Sequence, residues 1–379
     1  MPFLSSPLWL ASFFSLFFFA WGIFLPFWAL WLEGEGLTAG QIGLVLGSGL
    51  FLRCIASLLI VPRVKKESQL LPVIRYLCFL TLACFALFLF LQGFVLLALG
   101  TLLANFIISP LMPLGDALAS KWVSQIRLDY GKVRLWGSVS FIVSSSIMGG
   151  LITRFDHNII LYAMLASLLA LVLMSLIKPA TLPKDTQVQN TVRTPLWQVL
   201  KKPSVIRFII ITSCIQGSHA AYYSFSSIYW KSVGYSETSI GYLWGFSVLA
   251  EVCFMAFASK WFGQWRASQL FLLAAVGVAV RWSLLASTSE ISVIVLAQAM
   301  HAITFAAAQI AAIRYISEEA SAEYAIQLQA LYAAIALGLT TAVLTLMSGY
   351  FYPTWQANIF WLMAVLALPV FYLARQRQI

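Results

Sequence analysis

The sequence predicts an all-α integral membrane protein with twelve transmembrane helices arranged as two six-helix, pseudo-symmetric halves. Three observations carry this prediction. The 379 residues are 61% hydrophobic and only 9% charged, too little polar surface to clothe a soluble domain of this length. The apolar residues fall into runs of roughly 20, the length that crosses a bilayer as a helix. A stretch of the first half also recurs in the second at a constant offset.

In chain order the runs lie at 7–32, 39–61, 70–91, 94–120, 132–152, 158–177, 204–230, 238–260, 268–287, 291–315, 326–350 and 357–374. The first has no basic segment before it and is too long for a signal-peptide core, so it reads as a span. Connections are short except 178–203, KPATLPKDTQVQNTVRTPLWQVLKKP, which is polar and rich in Pro and Thr. That stretch reads as a linker between an N-terminal half, 1–177, and a C-terminal half, 204–379.

Orientation follows from the bases. Even-numbered connections hold Arg63, Lys65, Lys66, Lys121, Arg127, Lys132, Lys178, Lys184, Arg193, Lys201, Lys202, Lys260 and Arg266, and the tail holds Arg375 and Arg377. Odd-numbered ones hold only Arg154 and Lys231. Lys and Arg stay on the cytoplasmic side, which puts both termini and the linker there. The net charge of +10 is thus a topology signal, and nucleic acid is excluded as a partner. The lipid bilayer is the expected surrounding. Cys54, Cys78, Cys84, Cys214 and Cys253 all sit inside apolar runs with no CxxC or metal-ligand spacing. They read as small buried hydrophobes, and no metal or cofactor is expected.

The repeat appears when Ile42-Gly43 is placed on Ile240-Gly241, an offset of 198. LEGEGLTAGQIGLVLG (32–47) then lies over WKSVGYSETSIGYLWG (230–245), matching Gly36 to Gly234, Thr38 to Ser236 and Gly47 to Gly245. The same offset carries Arg53 onto Glu251 and Asp116 onto Arg314. Two six-helix repeats joined by a cytoplasmic linker describe a secondary transporter with its site near the midplane between the halves.

Charges inside apolar runs mark that site, because each costs roughly 2.5–3.5 kcal/mol at a helix centre unless a partner or water receives it. Asp116 and Arg134 lie on the two arms of a hairpin, NFIISPLMPLGDALASKWVSQIRLDYGKVRLWGSVSF (105–141), and fall level across its basic turn. They are placed to hold a polar ligand or simply to fix the turn. Arg53 lies roughly 13 Å inside the second run, at 1.5 Å per residue, and Glu251 at a similar depth in the eighth. Glu251 and Arg281 are level across the WFGQWR turn, either as a working pair or as a structural one. His301 could hydrogen-bond between helices or carry a proton. His219 stands in QGSHAAYYSFSSIYW, where Tyr222, Tyr223 and Phe225 either line an aromatic pocket or pack. Asn105, Gln216, Gln298 and Gln309 read as polar glue between helices.

These residues resemble a known group. IFLPFWALWL (23–32), the 105–141 hairpin, AEVCFMAF around Glu251, VAVRW around Arg281 and QAMHAITFAAAQIAAIRYI are similar to the lactose-permease-like branch of the major facilitator superfamily, over essentially the whole chain. DYGKVRLWGS and QGSHAAYYSFSSIYW with GYSETSIGYLW resemble the 3-phenylpropionate (hydrocinnamate) permease family. The resemblance implies the major facilitator fold, a monomer at work, and a bacterial cytoplasmic (inner) membrane location. It implies that Asp116 and Arg134 correspond to a substrate-contacting acid and base, and Phe141 to a ring that stacks on substrate. It implies that Glu251, Arg281 and His301 correspond to a coupling network. The sequence departs from the pattern at three places. Thr304 replaces the acid expected three residues after the histidine, Gln298 replaces the lysine expected three residues before it, and Val61 replaces the acid of the loop signature after the second span.

The expectation is a proton symporter importing an aromatic monocarboxylate such as 3-phenylpropionate. Arg53 supplies an extra midplane cation, an Arg can pair bidentately with a carboxylate, and Tyr222 and Tyr223 offer aromatic walls. A sugar or nucleoside permease is the alternative. An intramembrane enzyme would need a catalytic set, such as two membrane aspartates or HExxH, that the chain lacks. A channel would need no two-fold repeat with one central site.

Overall fold

The computed structural model describes residues 3–185, 196–320 and 324–375. These residues are helical almost throughout, because an apolar backbone in hydrocarbon must satisfy its own N–H and C=O groups. The helices are α1 (Ser6–Gly34), α2 (Ala39–Ile60), α3 (Leu70–Leu87), α4 (Gly93–Ile108), α5 (Leu111–Ile126), α6 (Tyr130–Arg154) and α7 (Asn158–Leu176). After the linker come α8 (Leu196–Leu200), α9 (Pro203–Gly217), α10 (Ala220–Ser232), α11 (Glu237–Phe262), α12 (Ala267–Ser287), α13 (Ile291–Ala299) and α14 (Ala308–Arg314). The last are α15 (Ala325–Leu331), α16 (Thr341–Trp355), α17 (Ile359–Val365) and α18 (Ala367–Leu373). Among the described residues, ten continuous helical stretches are long and apolar enough to cross a membrane, and the protein is an integral, multi-pass membrane protein.

The difference between ten and twelve has local causes. The expected span 204–230 is present but broken between α9 and α10 at Ser218 and His219. There Gly217 weakens the helix, and two side chains take its carbonyls, Ser218 Oγ donating to Ile215 O at 2.7 Å and His219 Nδ1 lying 3.1 Å from the same oxygen. The spans 326–350 and 357–374 are joined through a short 3₁₀ turn, Gln356–Asn358, and count as one stretch, Gln327–Leu373. Three π-helical segments, Ala302–Ala307, Tyr315–Glu319 and Tyr332–Thr340, interrupt the late spans.

The repeat read from the sequence has a local structural counterpart. α1 ends at Gly34 and α10 at Ser232, while α2 begins at Ala39 and α11 at Glu237, so both boundaries keep the same offset. Gly36 and Gly234 both take positive φ, +87° and +98°, a conformation open to glycine without a Cβ clash. Thr38 and Ser236 then accept the amides of Gln41 and Ser239 at the starts of the following helices.

The described residues fall in two compact units, one within Met1–Gln189 and Tyr235–Gly245, the other within Asn190–Gly234 and Phe246–Ile379. In the first, α1 packs chiefly on α6 and α7. Gly22 makes the close approach to α6 possible, since a Cβ there would meet Ser144 Oγ and, at 2.8 Å, Phe141 O. One face of α1 is a ladder of rings, with Phe17, Trp21, Phe24, Trp28 and Trp31 stacked in succession. The expected linker, 178–203, is described only in part, and Arg193 and Arg377 lie outside the described residues. Its first part is ordered, which the sequence did not foretell. Lys178–Pro179 pairs in parallel with Phe3–Leu4, and Gln125 Nε2 donates to Leu182 O at 2.9 Å. In the second unit α12 is central, touching α9, α13, α14, α17 and α18, which explains why its charged residue, Arg281, is fully buried.

Candidate functional site

Two clusters of polar and aromatic side chains occupy membrane helices, one in each unit. In the first, α5 and α6 bring Asp116 and Arg134 to one neighbourhood, but not as a direct ion pair. Tyr130 Oη donates to Asp116 Oδ1 at 2.8 Å, and its ring edge meets Phe14. The Arg134 guanidinium instead lies over the Phe18 ring at 4.0 Å, with Phe14 at 5.6 Å. The reason is local: Tyr130 precedes Arg134 by one helical turn and shares its face. Its hydroxyl is the donor that reaches Asp116, while Arg134 meets two rings on one face of α1. Gly137 keeps this space open, since a Cβ there would stand 2.7 Å from Phe18 and 3.0 Å from Arg134 Nη1.

Arg53 on α2 is stacked similarly, its guanidinium 4.4 Å from the Trp21 ring centre. Its backbone carbonyl accepts Ser109 Oγ at 3.2 Å. A ring face is a favourable seat for a desolvated cation. Phe141 is buried, with its backbone against Gly22. At the start of α6, outside the apolar span, Asp129 caps the helix by accepting the Lys132 amide at 3.2 Å. That backbone hydrogen bond, with help from the Lys132 side chain, holds its carboxyl below the ordinary value.

The second cluster is a continuous chain of hydrogen bonds. Arg281 Nη1 contacts His301 Nδ1 at 3.0 Å and donates to Thr304 Oγ1 at 2.9 Å, and Nη2 donates to Gln298 Oε1 at 3.2 Å. Gln298 Nε2 donates to the Tyr222 hydroxyl at 2.7 Å. His301 Nε2 stands 3.6 Å from Glu251 Oε2, and His219 Nε2 lies 3.0 Å from Thr304 Oγ1. Rings of Tyr222 and Trp282 cover the Arg281 guanidinium at 4.7 and 4.4 Å. Tyr223, half-buried beside them, stacks on His219 at 5.6 Å.

The donor pattern fixes the protons. Arg has no acceptor, so His301 Nδ1 must accept and its Nε2 carries the hydrogen that faces Glu251. His219 Nδ1 faces only carbonyls, Ile215 O and Gln216 O, so it carries a hydrogen. Its Nε2 then accepts from Thr304, whose oxygen receives Arg281. Both imidazoles are neutral in this arrangement, and one directed chain links His219, Thr304, Arg281 and His301, with Glu251 3.6 Å beyond His301.

The level pair expected of Glu251 and Arg281 is therefore built differently, with His301 between them. His301 contacts Arg281 at 3.0 Å and Glu251 at 3.6 Å. Thr304 and Gln298 occupy the positions where the family pattern has charges, and each hydrogen-bonds Arg281. Sequence reasoning gave no role to Tyr130, Phe18, Trp21 or Trp282. For Tyr130 and Trp282 the available signal was spacing, one turn and one residue from an arginine in apolar sequence; Phe18 and Trp21 lie in the first span, far in sequence from the arginines they meet, and carried no signal.

Comparisons with known proteins agree with this architecture. The model of the MFS_1 like family matches residues 8–363. The chain is 41% identical over 371 residues to the "Probable 3-phenylpropionic acid transporter" of Escherichia coli (strain K12), covering 98% of this chain and 97% of that one. It is 26% identical over 347 residues to the "Maltose permease" of Geobacillus stearothermophilus, covering 91% and 87%. The crystal structure of nucleoside transporter NupG superimposes with a TM-score of 0.82 at 17% identity, covering 98% of each chain. That of a D-xylose-proton symporter does so with 0.70 at 13%, covering 98% of this chain and 97% of that one. These two show the fold alone. The resemblance carried by DYGKVRLWGS and QGSHAAYYSFSSIYW therefore holds: the chain belongs to the MFS_1 like family, has the major facilitator fold, and is a transporter rather than an enzyme.

Proposed function

We propose that this protein imports an aromatic monocarboxylate such as 3-phenylpropionate in symport with protons, by alternating access, across the bacterial cytoplasmic membrane. The observation that carries the reading is the full-length, 41% identical relative named for that acid. The chemistry of the clusters supports it. Each of three arginines in membrane helices, Arg53, Arg134 and Arg281, lies against aromatic rings, as suits a ligand with one carboxylate and one ring.

In this reading Arg53, Asp116, Arg134, Phe141, Tyr222 and Tyr223 contact substrate. Glu251, Arg281 and His301 couple it to the proton, and His219 joins them through Thr304. The working unit is a monomer of two six-helix halves, 1–177 and 204–379, with both termini in the cytoplasm. A sugar is the second reading, favoured by the maltose permease relative. Proteoliposomes loaded with buffer and energised by an inward proton gradient decide between them. Saturable uptake of labelled 3-phenylpropionate, unaffected by excess maltose or nucleoside, is expected. Uptake of a labelled disaccharide or nucleoside in its place overturns the proposal.

A further inference from the structure

The guanidinium of Arg281 is fully buried, and its hydrogen-bond partners include an imidazole, an amide and the hydroxyls of Thr304 and Tyr222. The acid of the cluster, Glu251, meets His301 at 3.6 Å. A buried guanidinium nitrogen left without an acceptor is costly, so an edge of this kind is retained where an acceptor comes to it.

Its three nitrogens are not equivalent. Nη1 is held by two acceptors, at 3.0 and 2.9 Å. Nη2 has the amide oxygen of Gln298, at 3.2 Å the longest contact of the set. Nε is buried and has no hydrogen-bond partner. In a guanidinium Nε and Nη2 share one side, and that edge takes a carboxylate through two parallel N–H···O bonds.

We propose that the Nε–Nη2 edge of Arg281 is the seat of the substrate carboxylate, with Gln298 Oε1 holding one of its two oxygen positions. The proposal rests on the aromatic-monocarboxylate reading above and moves Arg281 from coupling alone to direct anion binding. Tyr222 and Trp282 cover the guanidinium and give the ligand's ring apolar walls next to its charge. When a carboxylate displaces the Gln298 oxygen, the amide nitrogen keeps its 2.7 Å bond to Tyr222. Nη1 meanwhile stays anchored by His301 and Thr304. Substrate and the His301–Glu251 pair then meet on opposite edges of one side chain, which places anion binding one imidazole away from the acid.

The test is calorimetric binding of 3-phenylpropionate and of its neutral amide, 3-phenylpropionamide, to purified full-length protein. Gln298→Glu is nearly isosteric and puts an internal carboxylate into the fork. It is expected to cut affinity for the acid at least about tenfold, the value of one charged hydrogen bond, while leaving the amide within about threefold. Arg281→Gln is expected to bind acid and amide alike, and where that variant does not fold Gln298→Glu decides. Persistence of the acid preference in Gln298→Glu, equal loss of both ligands there, or loss of the preference in Arg53→Gln instead overturns the proposal. A wild-type protein that binds neither ligand overturns the substrate reading itself, a different result from any of these.

Discussion

At the scale of single residues, the proposed proton symport needs a carrier, and the second cluster offers candidates for it. Of its members only Glu251, His301 and His219 can exchange a proton, and the hydrogen bonds place the two imidazoles differently. His219 is tied at Nδ1 to backbone carbonyls, and His301 is tied at Nδ1 to Arg281. Glu251 is half-buried, with the Nε2 of His301 3.6 Å from its carboxylate. It is the group whose charge can change without breaking the chain, and we expect it to carry the proton. Glu251→Gln should abolish accumulation against a gradient while exchange of labelled for unlabelled substrate continues at a rate within about tenfold of wild type. A Glu251→Gln protein that still concentrates substrate under a proton gradient would transfer the role to His301. The sequence put Glu251 level with Arg281 on neighbouring spans, and the family resemblance added His301. Neither showed their order, because Cα level says nothing of which side chain reaches between two others. The same holds for Tyr130, which stands between Asp116 and Arg134 although only the latter two carry charges that draw the eye.

At the scale of elements, the close packing of α1 on α6 depends on absent side chains. A Cβ on Gly22 would meet both a side chain, Ser144, and backbone, Phe141 O. Ser144 can turn aside and the backbone cannot. Gly22→Ala should therefore destabilise by about 1–3 kcal/mol, the usual cost of overpacking, and Ser144→Ala should not restore the loss. Gly150→Ala is the control, since nothing lies within 4 Å of a Cβ there. Thermal unfolding in detergent reads both. The start of α6 gives a pH-dependent counterpart. Asp129 has its folded-state carboxyl held below the ordinary value by the Lys132 amide, so its capping contribution is present above the unfolded value of about 3.9 and disappears as pH falls through the folded one. Asp129→Ala should melt lower than wild type at pH 7, the gap should close in strong acid, and Asp129→Asn should retain most of the cap. The repeat matched Thr38 to Ser236 from the sequence, and the structure gives the match its meaning, since both hydroxyls accept an amide at a helix start. The break at Ser218 and His219 was not readable in advance, because an apolar run of the right length conceals a turn made by two side chains bonding back to Ile215.

At the scale of the whole molecule, topology is the property that one experiment can fix for many segments together. The N-terminal strand pairs with Lys178–Pro179, Ser68 between α2 and α3 bonds Asp185, and Gln125 at the end of α5 bonds both Leu182 and Lys184. The N-terminus, the second and fourth connections and the start of the linker thus share one face of the first unit. These are the segments in which Lys and Arg accumulate, whereas the α6–α7 connection on the other side of α6 has Arg154. We propose, from the retention of basic loops, that the shared face is cytoplasmic. In a cysteine-free background, Leu182→Cys and Phe155→Cys both occupy exposed positions, at 49% and 60%, at opposite ends of the bundle's helices. A membrane-impermeant maleimide added to intact cells should label Phe155→Cys and spare Leu182→Cys until the membrane is opened. Because the hydrogen bonds lock these segments to one another, the reverse labelling would invert the whole assignment rather than one loop. Every direction of transport inferred from it, import included, would invert as well.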